Sequence, residues 1–259
     1  MHFLTSDHVQ LAYSDQGSGQ PLLFLAGFGT PKEIWNRQVS FFQRQGFRVI
    51  CLDLRNQGAS QRTTQGLRMS RLGLDLFELV TFLKLEAPII IGNSMGAANI
   101  WATISLHADQ WFEKCIIVDQ SPKMINDATW QWGFKDLTWT TFPDQLKIDF
   151  GRPTYHPLPN DLKTLLQTVN QQQPFNRQLD LPLLIDHAFQ DWRDVISLST
   201  KPTLWVTGQQ SPFFDSQGLS QWIQWLPASQ SVTIADAGHL VMAEQPDLFN
   251  TTILNFIQA

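Results

Sequence analysis

Apolar residues in this chain fall into short, dense runs separated by longer stretches with helical spacing. Pro21-Leu22-Leu23-Phe24-Leu25-Ala26 is nearly continuous in apolar residues, as suits a strand buried on both faces of a parallel sheet. Phe47 to Leu52, Pro88-Ile89-Ile90-Ile91, Lys114 to Val118, Pro202 to Gly208 and Ser231 to Ile234 read as further strands. Between them, residues 32–46 carry Ile34, Trp35, Val39, Phe41 and Phe42 among polar residues, a helix that Gly46 ends. Leu72, Leu76, Leu79, Val80 and Leu83 give helical spacing over 69–85, and helices are also predicted near 216–226 and from Pro246 to Ile257. Residues 1–20 read as a polar-edged hairpin, with Val9 to Tyr13 alternating and Gln16 to Gln20 turning. Alternating strands and helices predict an α/β class fold, a mostly parallel sheet covered on both faces.

The alternation breaks after residue 122 and resumes at 201. This divides the chain into 1–122, 123–200 and 201–259, a core in two parts around an insertion. The middle segment holds scattered aromatics, among them Trp130, Trp132, Phe134, Trp139, Phe142 and Trp192, and the punctuating Pro153, Pro157, Pro159, Pro174 and Pro182. With a helix predicted near 160–170, it reads as a mostly helical insertion. No internal repeat or low-complexity linker divides the chain further.

Chemistry enters at Gly92-Asn93-Ser94-Met95-Gly96. The apolar run before it and the alanine-rich stretch Ala97 to Ala102 after it make this strand, sharp turn, helix. Such a G-x-S-x-G turn lifts a serine hydroxyl above the sheet edge, and its glycines leave room where a side chain would meet a neighbouring strand or helix. In open parallel sheets ligands sit beyond the carboxyl ends of the strands. Phe28, Ser94, Asp119 and His239 each follow a predicted strand. They offer a backbone N–H, a hydroxyl, a carboxylate and an imidazole, the groups that acyl transfer through a covalent intermediate requires.

With these residues in view, the chain resembles the α/β-hydrolases of the esterase and lipase superfamily over essentially its whole length. The resemblance rests on Gly27-Phe28-Gly29, Asp53-x-Arg55-x-x-Gly58-x-Ser60, Gly92-x-Ser94-x-Gly96 and Gly238-His239, in that order. It implies Ser94 as nucleophile, His239 as base, the N–H groups of Phe28 and Met95 as oxyanion hole, and 123–200 as a cap over the acyl pocket. Two departures stand out. Ala26 occupies a place where the family often has histidine, and Gly208-Gln209-Gln210-Ser211 stands where an acid commonly follows the post-cap strand. Asp119, in Val118-Asp119-Gln120-Ser121-Pro122, matches a variant found in small bacterial esterases and is the preferred acid; Asp215 is the alternative. Asp53 reads as a structural partner for a nearby loop or for Arg55, and Asp236 as a turn residue. His2, His8, His107, His156 and His187 carry no motif and are assigned to surface or packing. The aromatics of the insertion are read first as packing, with any pocket-facing members among Trp130, Trp132, Trp139 and Phe142.

Composition narrows the partners. A net charge of −5 and a pI near 5.6 leave no electrostatic footprint for nucleic acid. No basic run suggests an anionic membrane, and no apolar run approaches the roughly 20 residues of a membrane span. The N-terminal residues lack a signal-peptide pattern. Cys51 and Cys115 lie in apolar runs without metal-type spacing, which predicts buried thiols, no metal site and a reduced, cytoplasmic setting. The expectation is a carboxylesterase-like serine hydrolase without a cofactor, acting on a small-molecule ester with an apolar acyl part. A C–C bond hydrolase or acyltransferase with the same triad, and a non-catalytic ligand-binding protein on this fold, are the rival readings. Oligomeric state is left open.

Overall fold

The computed structural model describes residues 1–259. Eight strands form one sheet: β1 (His2–Leu4), β2 (Gln10–Gln16), β3 (Pro21–Leu25), β4 (Arg48–Leu52), β5 (Ile89–Asn93), β6 (Cys115–Val118), β7 (Thr203–Gly208) and β8 (Ser229–Ile234). Their spatial order is β1-β2-β4-β3-β5-β6-β7-β8. Pairings of β1 with β2 and of β2 with β4 are antiparallel, and every other pairing is parallel.

The dense apolar runs of the sequence have a direct explanation in this sheet. Leu23 and Leu25 pack on one face, and Leu22 and Phe24 on the other. Ile50 and Leu52 likewise oppose Val49 and Cys51, and Ile117 opposes Ile116 and Val118. Each face therefore needs its own cover. One is covered by α2 (Met69–Phe82), α3 (Met95–His107) and α7 (Ser216–Ile223), which supply Leu72, Leu76, Ile100, Trp101 and Leu219. The opposite face packs on α1 (Asn36–Arg44), α8 (Val241–Glu244) and α9 (Pro246–Gln258), through Phe42, Met242, Phe249 and Ile253. Both cysteines are buried free thiols, pushed up to about 12 by burial.

Between β6 and β7 lies the insertion, whose regular elements are helical. Helices α4 (Asn160–Gln172), α5 (Arg177–Phe189) and α6 (Arg193–Leu198) occupy only its second part. Residues 123–159 run as turns, isolated bridges and one 3-10 turn, Asp144–Lys147. Prolines at 143, 153, 157 and 159 remove backbone donors there. Side chains supply the missing bonds instead: Asn126 holds the amide of Gly133, and the Trp130 indole donates to Lys123 O at 2.9 Å.

Parallel register places the functional loops side by side. Leu25 is level with Gly92, Asn93 with Val118, and Val118 with Val206. The turns that follow β3, β5, β6, β7 and β8 thus open onto one edge of the sheet.

Candidate active site

Ser94 sits at the turn from β5 into α3 with φ 55° and ψ −127°, a conformation that costs a non-glycine residue free energy and persists only where its surroundings enforce it. Those surroundings are visible. The Ser94 amide donates to Val118 O at 2.9 Å, and Ser94 O accepts from Ala97 N at 2.8 Å. A Cβ on Gly92 would lie 2.5 Å from the Gly96 carbonyl, and one on Gly96 would lie 2.4 Å from Leu25 O. The elbow can close only because both are glycine.

Asp119 follows β6, also at positive φ (47°), and is fully buried. Its Oδ2 lies 2.6 Å from His239 Nδ1 and accepts from Ser211 Oγ at 2.6 Å, while Oδ1 accepts from Gly208 N at 3.1 Å. Asp215 is engaged elsewhere. It caps α7, accepting from Gln217 N at 3.0 Å. Ser211, in the loop after β7, donates to the Asp119 carboxylate instead of supplying one of its own.

His239 follows β8 and is 6% exposed. Asn93 Nδ2 donates to its carbonyl, its amide donates to Pro153 O at 2.8 Å, and the Phe213 ring packs edge-on against the imidazole at 4.7 Å. Glu244 stabilises this loop, a role that no sequence motif signals. Its carboxylate accepts from the amides of Gly238, Tyr155 and His156, tying the loop before His239 to the insertion.

Ser94 and His239 face one cavity of about 270 Å3. No direct hydrogen bond joins Ser94 Oγ to the imidazole without ligand; such catalytic bonds often tighten only when substrate binds. Phe28 and Met95 line the same cavity, and neither amide donates to a protein acceptor. Met95 N–H belongs to the first turn of α3, where helix geometry leaves donors free and a partial positive charge accumulates.

Asp53 proves to be a structural residue, though it does not pair with Arg55. It accepts from Lys32 N, Lys32 Nζ and Ala59 N, and so ties the loop after β3 to the turn at 58–60. Arg55 pairs with Asp75 and Asp7. The pocket-facing aromatics also differ from those named above. Trp130 is buried in the core and Trp139 is 52% exposed, and none of Trp130, Trp132, Trp139 and Phe142 reaches the cavity. Phe134, Phe150 and Phe175 of the insertion line it, with Phe213 and Phe214 from the loop after β7.

Polar groups missed in the sequence line it too. Gln120 Oε1, Arg177 Nε and His187 Nδ1 are buried there without a protein hydrogen-bond partner. Burial pushes the His187 imidazole down to about 3, so it is neutral near pH 7. No group of three or more His, Cys, Asp or Glu side chains is placed to hold a metal ion, and no helix is long and apolar enough to cross a membrane.

Comparison with known proteins agrees with this architecture. The profile of the alpha/beta hydrolase family matches residues 22–252. The AB hydrolase superfamily protein YisY of Bacillus subtilis is 26% identical, covering 98% of each chain. The 3-oxoadipate enol-lactonase 2 of Acinetobacter baylyi is 25% identical, covering 96% of this chain and 94% of its own. In fold, the chain is similar to an esterase from Exiguobacterium antarcticum, with a TM-score of 0.87 at 19% identity over 100% of this chain and 99% of the other. With a family match that runs from β3 into α9, the chain belongs to the alpha/beta hydrolase family.

Proposed function

We propose that this protein is a serine hydrolase that cleaves carboxylic esters through an acyl-enzyme intermediate. The observation that carries the reading is the buried Asp119–His239 pair, whose imidazole lines the same cavity as the strained, half-buried elbow at Ser94. His239 takes the Ser94 proton as Oγ attacks the ester carbonyl. Asp119 fixes the Nδ1–H tautomer and stabilises the imidazolium that forms. The amides of Phe28 and Met95 receive the oxyanion. His239 then protonates the departing alcohol, and water repeats the cycle to release the acid. These steps call on no group beyond the chain and water.

The cavity's phenylalanines suit an apolar acyl portion. Similarity to an enol-lactonase favours cyclic esters as a second substrate form, since ring opening uses the same attack and the same oxyanion. A panel of p-nitrophenyl esters, assayed on the wild type and on Ser94→Ala and His239→Ala, tests the reading. Either substitution should reduce kcat by roughly 10³-fold or more, because nucleophile and base act as one unit. Activity within a few-fold of wild type in Ser94→Ala would remove the triad.

A further inference from the structure

We infer that the ester substrate carries a carboxylate, and that Arg177 is the residue that selects it. This rests on the hydrolase reading above and names its substrate class.

Arg177 opens α5 and lines the cavity. The two buried arginines are paired with carboxylates, Arg55 with Asp75, and Arg71 with Asp75 and Glu78, whereas Arg177 and Arg62 are half-buried and donate to backbone carbonyls. Arg177 has no carboxylate partner. Its Nη2 donates to the carbonyls of Leu146 and Ile148, at 2.7 and 2.9 Å, while Nε and Nη1 make no hydrogen bond. Partial burial lowers its pKa against the weaker opposing pull of the Asp149 carboxylate. Nη2 commits its protons to these two carbonyls, so the cation meets a carboxylate through Nη1, whose charge-assisted hydrogen bond is roughly twice as strong as a neutral one.

Its orientation is fixed by rings. The guanidinium stands 4.3 Å from the centroid of Phe150 and 5.6 Å from that of Phe28. Phe28 belongs to the oxyanion loop, so Arg177 lies one ring away from the place where the carbonyl oxygen would be held. On the other side, Phe150 contacts Phe213, which contacts His239. An ester at Ser94 with a short apolar spacer could place a terminal carboxylate at Arg177. Asp149 also lines the cavity but does not cancel the charge. It is exposed, its Oδ1 accepts from Gly151 N, and it forms no ion pair with Arg177.

The rival explanation is that Arg177 only fastens the 146–148 carbonyls to α5. Matched ester pairs separate the two. The acyl-side pair is the p-nitrophenyl monoester of glutaric acid against p-nitrophenyl valerate; the alcohol-side pair is 4-acetoxybenzoate against phenyl acetate. Wild type should favour the anionic member of one pair by about 10–100-fold in kcat/KM, mainly through KM, the range for a hydrogen bond to a charged group. Arg177→Gln should abolish that ratio and Arg177→Lys should restore part of it. Whichever pair shows the preference locates the carboxylate on the acyl or the alcohol side. Equal rates for both members of both pairs in wild type, or a ratio that survives Arg177→Gln while both rates fall together, would leave Arg177 a fastener and overturn the inference.

Binding separates this inference from the hydrolase reading. Calorimetric titration of Ser94→Ala with monomethyl glutarate and methyl valerate should show at least tenfold tighter binding of the anion, lost on adding Arg177→Gln. That result without turnover of any ester would retain the anion site and reject the hydrolase. Turnover with equal binding of the two esters, and no preference in the alcohol-side pair, would do the reverse.

Discussion

At the residue scale the proposed chemistry turns on a single carboxylate. Asp119 accepts three hydrogen bonds, from His239, Ser211 and Gly208, and is sealed from water. Asp119→Asn should therefore lower kcat by roughly 10²–10⁴-fold, the range expected when the imidazole loses its charged orienting partner. Ser211→Ala removes one charge-assisted bond and should cost no more than about tenfold. Asp215→Ala should leave ester hydrolysis within a few-fold and lower stability by about 1 kcal/mol, since it removes only a helix cap. Hydrolysis and urea unfolding of these three variants separate the roles, and a silent Asp119→Asn would remove the acid assigned here. The place of Asp119 at a strand end was legible in the sequence. The direction of the Ser211 hydroxyl was not, because residue type says nothing about which lone pair a donor finds.

Helix α5 is the element where charge and burial meet. His187 is buried and pushed down to about 3, while Asp180, seven residues earlier in the chain, is pushed up to about 6 by burial against the opposing pull of Asn56 and Arg62. Their effects on stability have opposite signs. Between about pH 3 and 6.5 the unfolded chain binds a proton at His187 that the folded chain does not, so this contribution falls as pH falls. Between about pH 4 and 6 the folded chain binds a proton at Asp180 that the unfolded chain releases, so this contribution falls as pH rises. The two slopes, each at most about 1.4 kcal/mol per pH unit, cancel across pH 4–6. Relative to wild type, Asp180→Asn should lose stability on acidification through that window, and His187→Leu should gain it. Chemical denaturation at pH 4.5, 5.5 and 6.5 reads the difference; parallel curves for all three proteins would show that neither group titrates as its burial demands.

The same scale explains which aromatics the sequence could not place. Residues 123–159 lack a helical or strand period, so no face can be read from spacing. Phe134, Phe150 and Phe175 reach the cavity because irregular backbone carries them there, while Trp139 points to solvent. Phe134→Ala and Phe150→Ala should shift the chain-length optimum of p-nitrophenyl esters, by about 1–3 kcal/mol per well-filled contact. Trp139→Ala should not shift it. An optimum unmoved by both phenylalanine changes would place the acyl chain elsewhere.

At the scale of the whole molecule, periodicity and turn chemistry carried most of the information. Continuous apolar runs became strands because each has two faces to bury, and glycines at 92 and 96 became the elbow because backbone occupies the space a Cβ would take. Long-range partners were less legible. Asp53 finds Lys32, and Glu244 finds the amides of Tyr155 and His156, across sequence separations that no local pattern encodes. Through these contacts the sheet edge, the loop after β3 and the insertion act as one scaffold around Ser94.

The most direct test of that scaffold's purpose is labelling by a fluorophosphonate, followed by intact-mass and peptide mass spectrometry. The reagent needs an activated serine and an oxyanion hole but no knowledge of the substrate. Wild type should take up one adduct per chain, on Ser94, with none in Ser94→Ala and a rate lowered by roughly 10³-fold in His239→Ala. An adduct on another residue, or equal labelling rates in wild type and His239→Ala, would contradict the nucleophile and base assigned here.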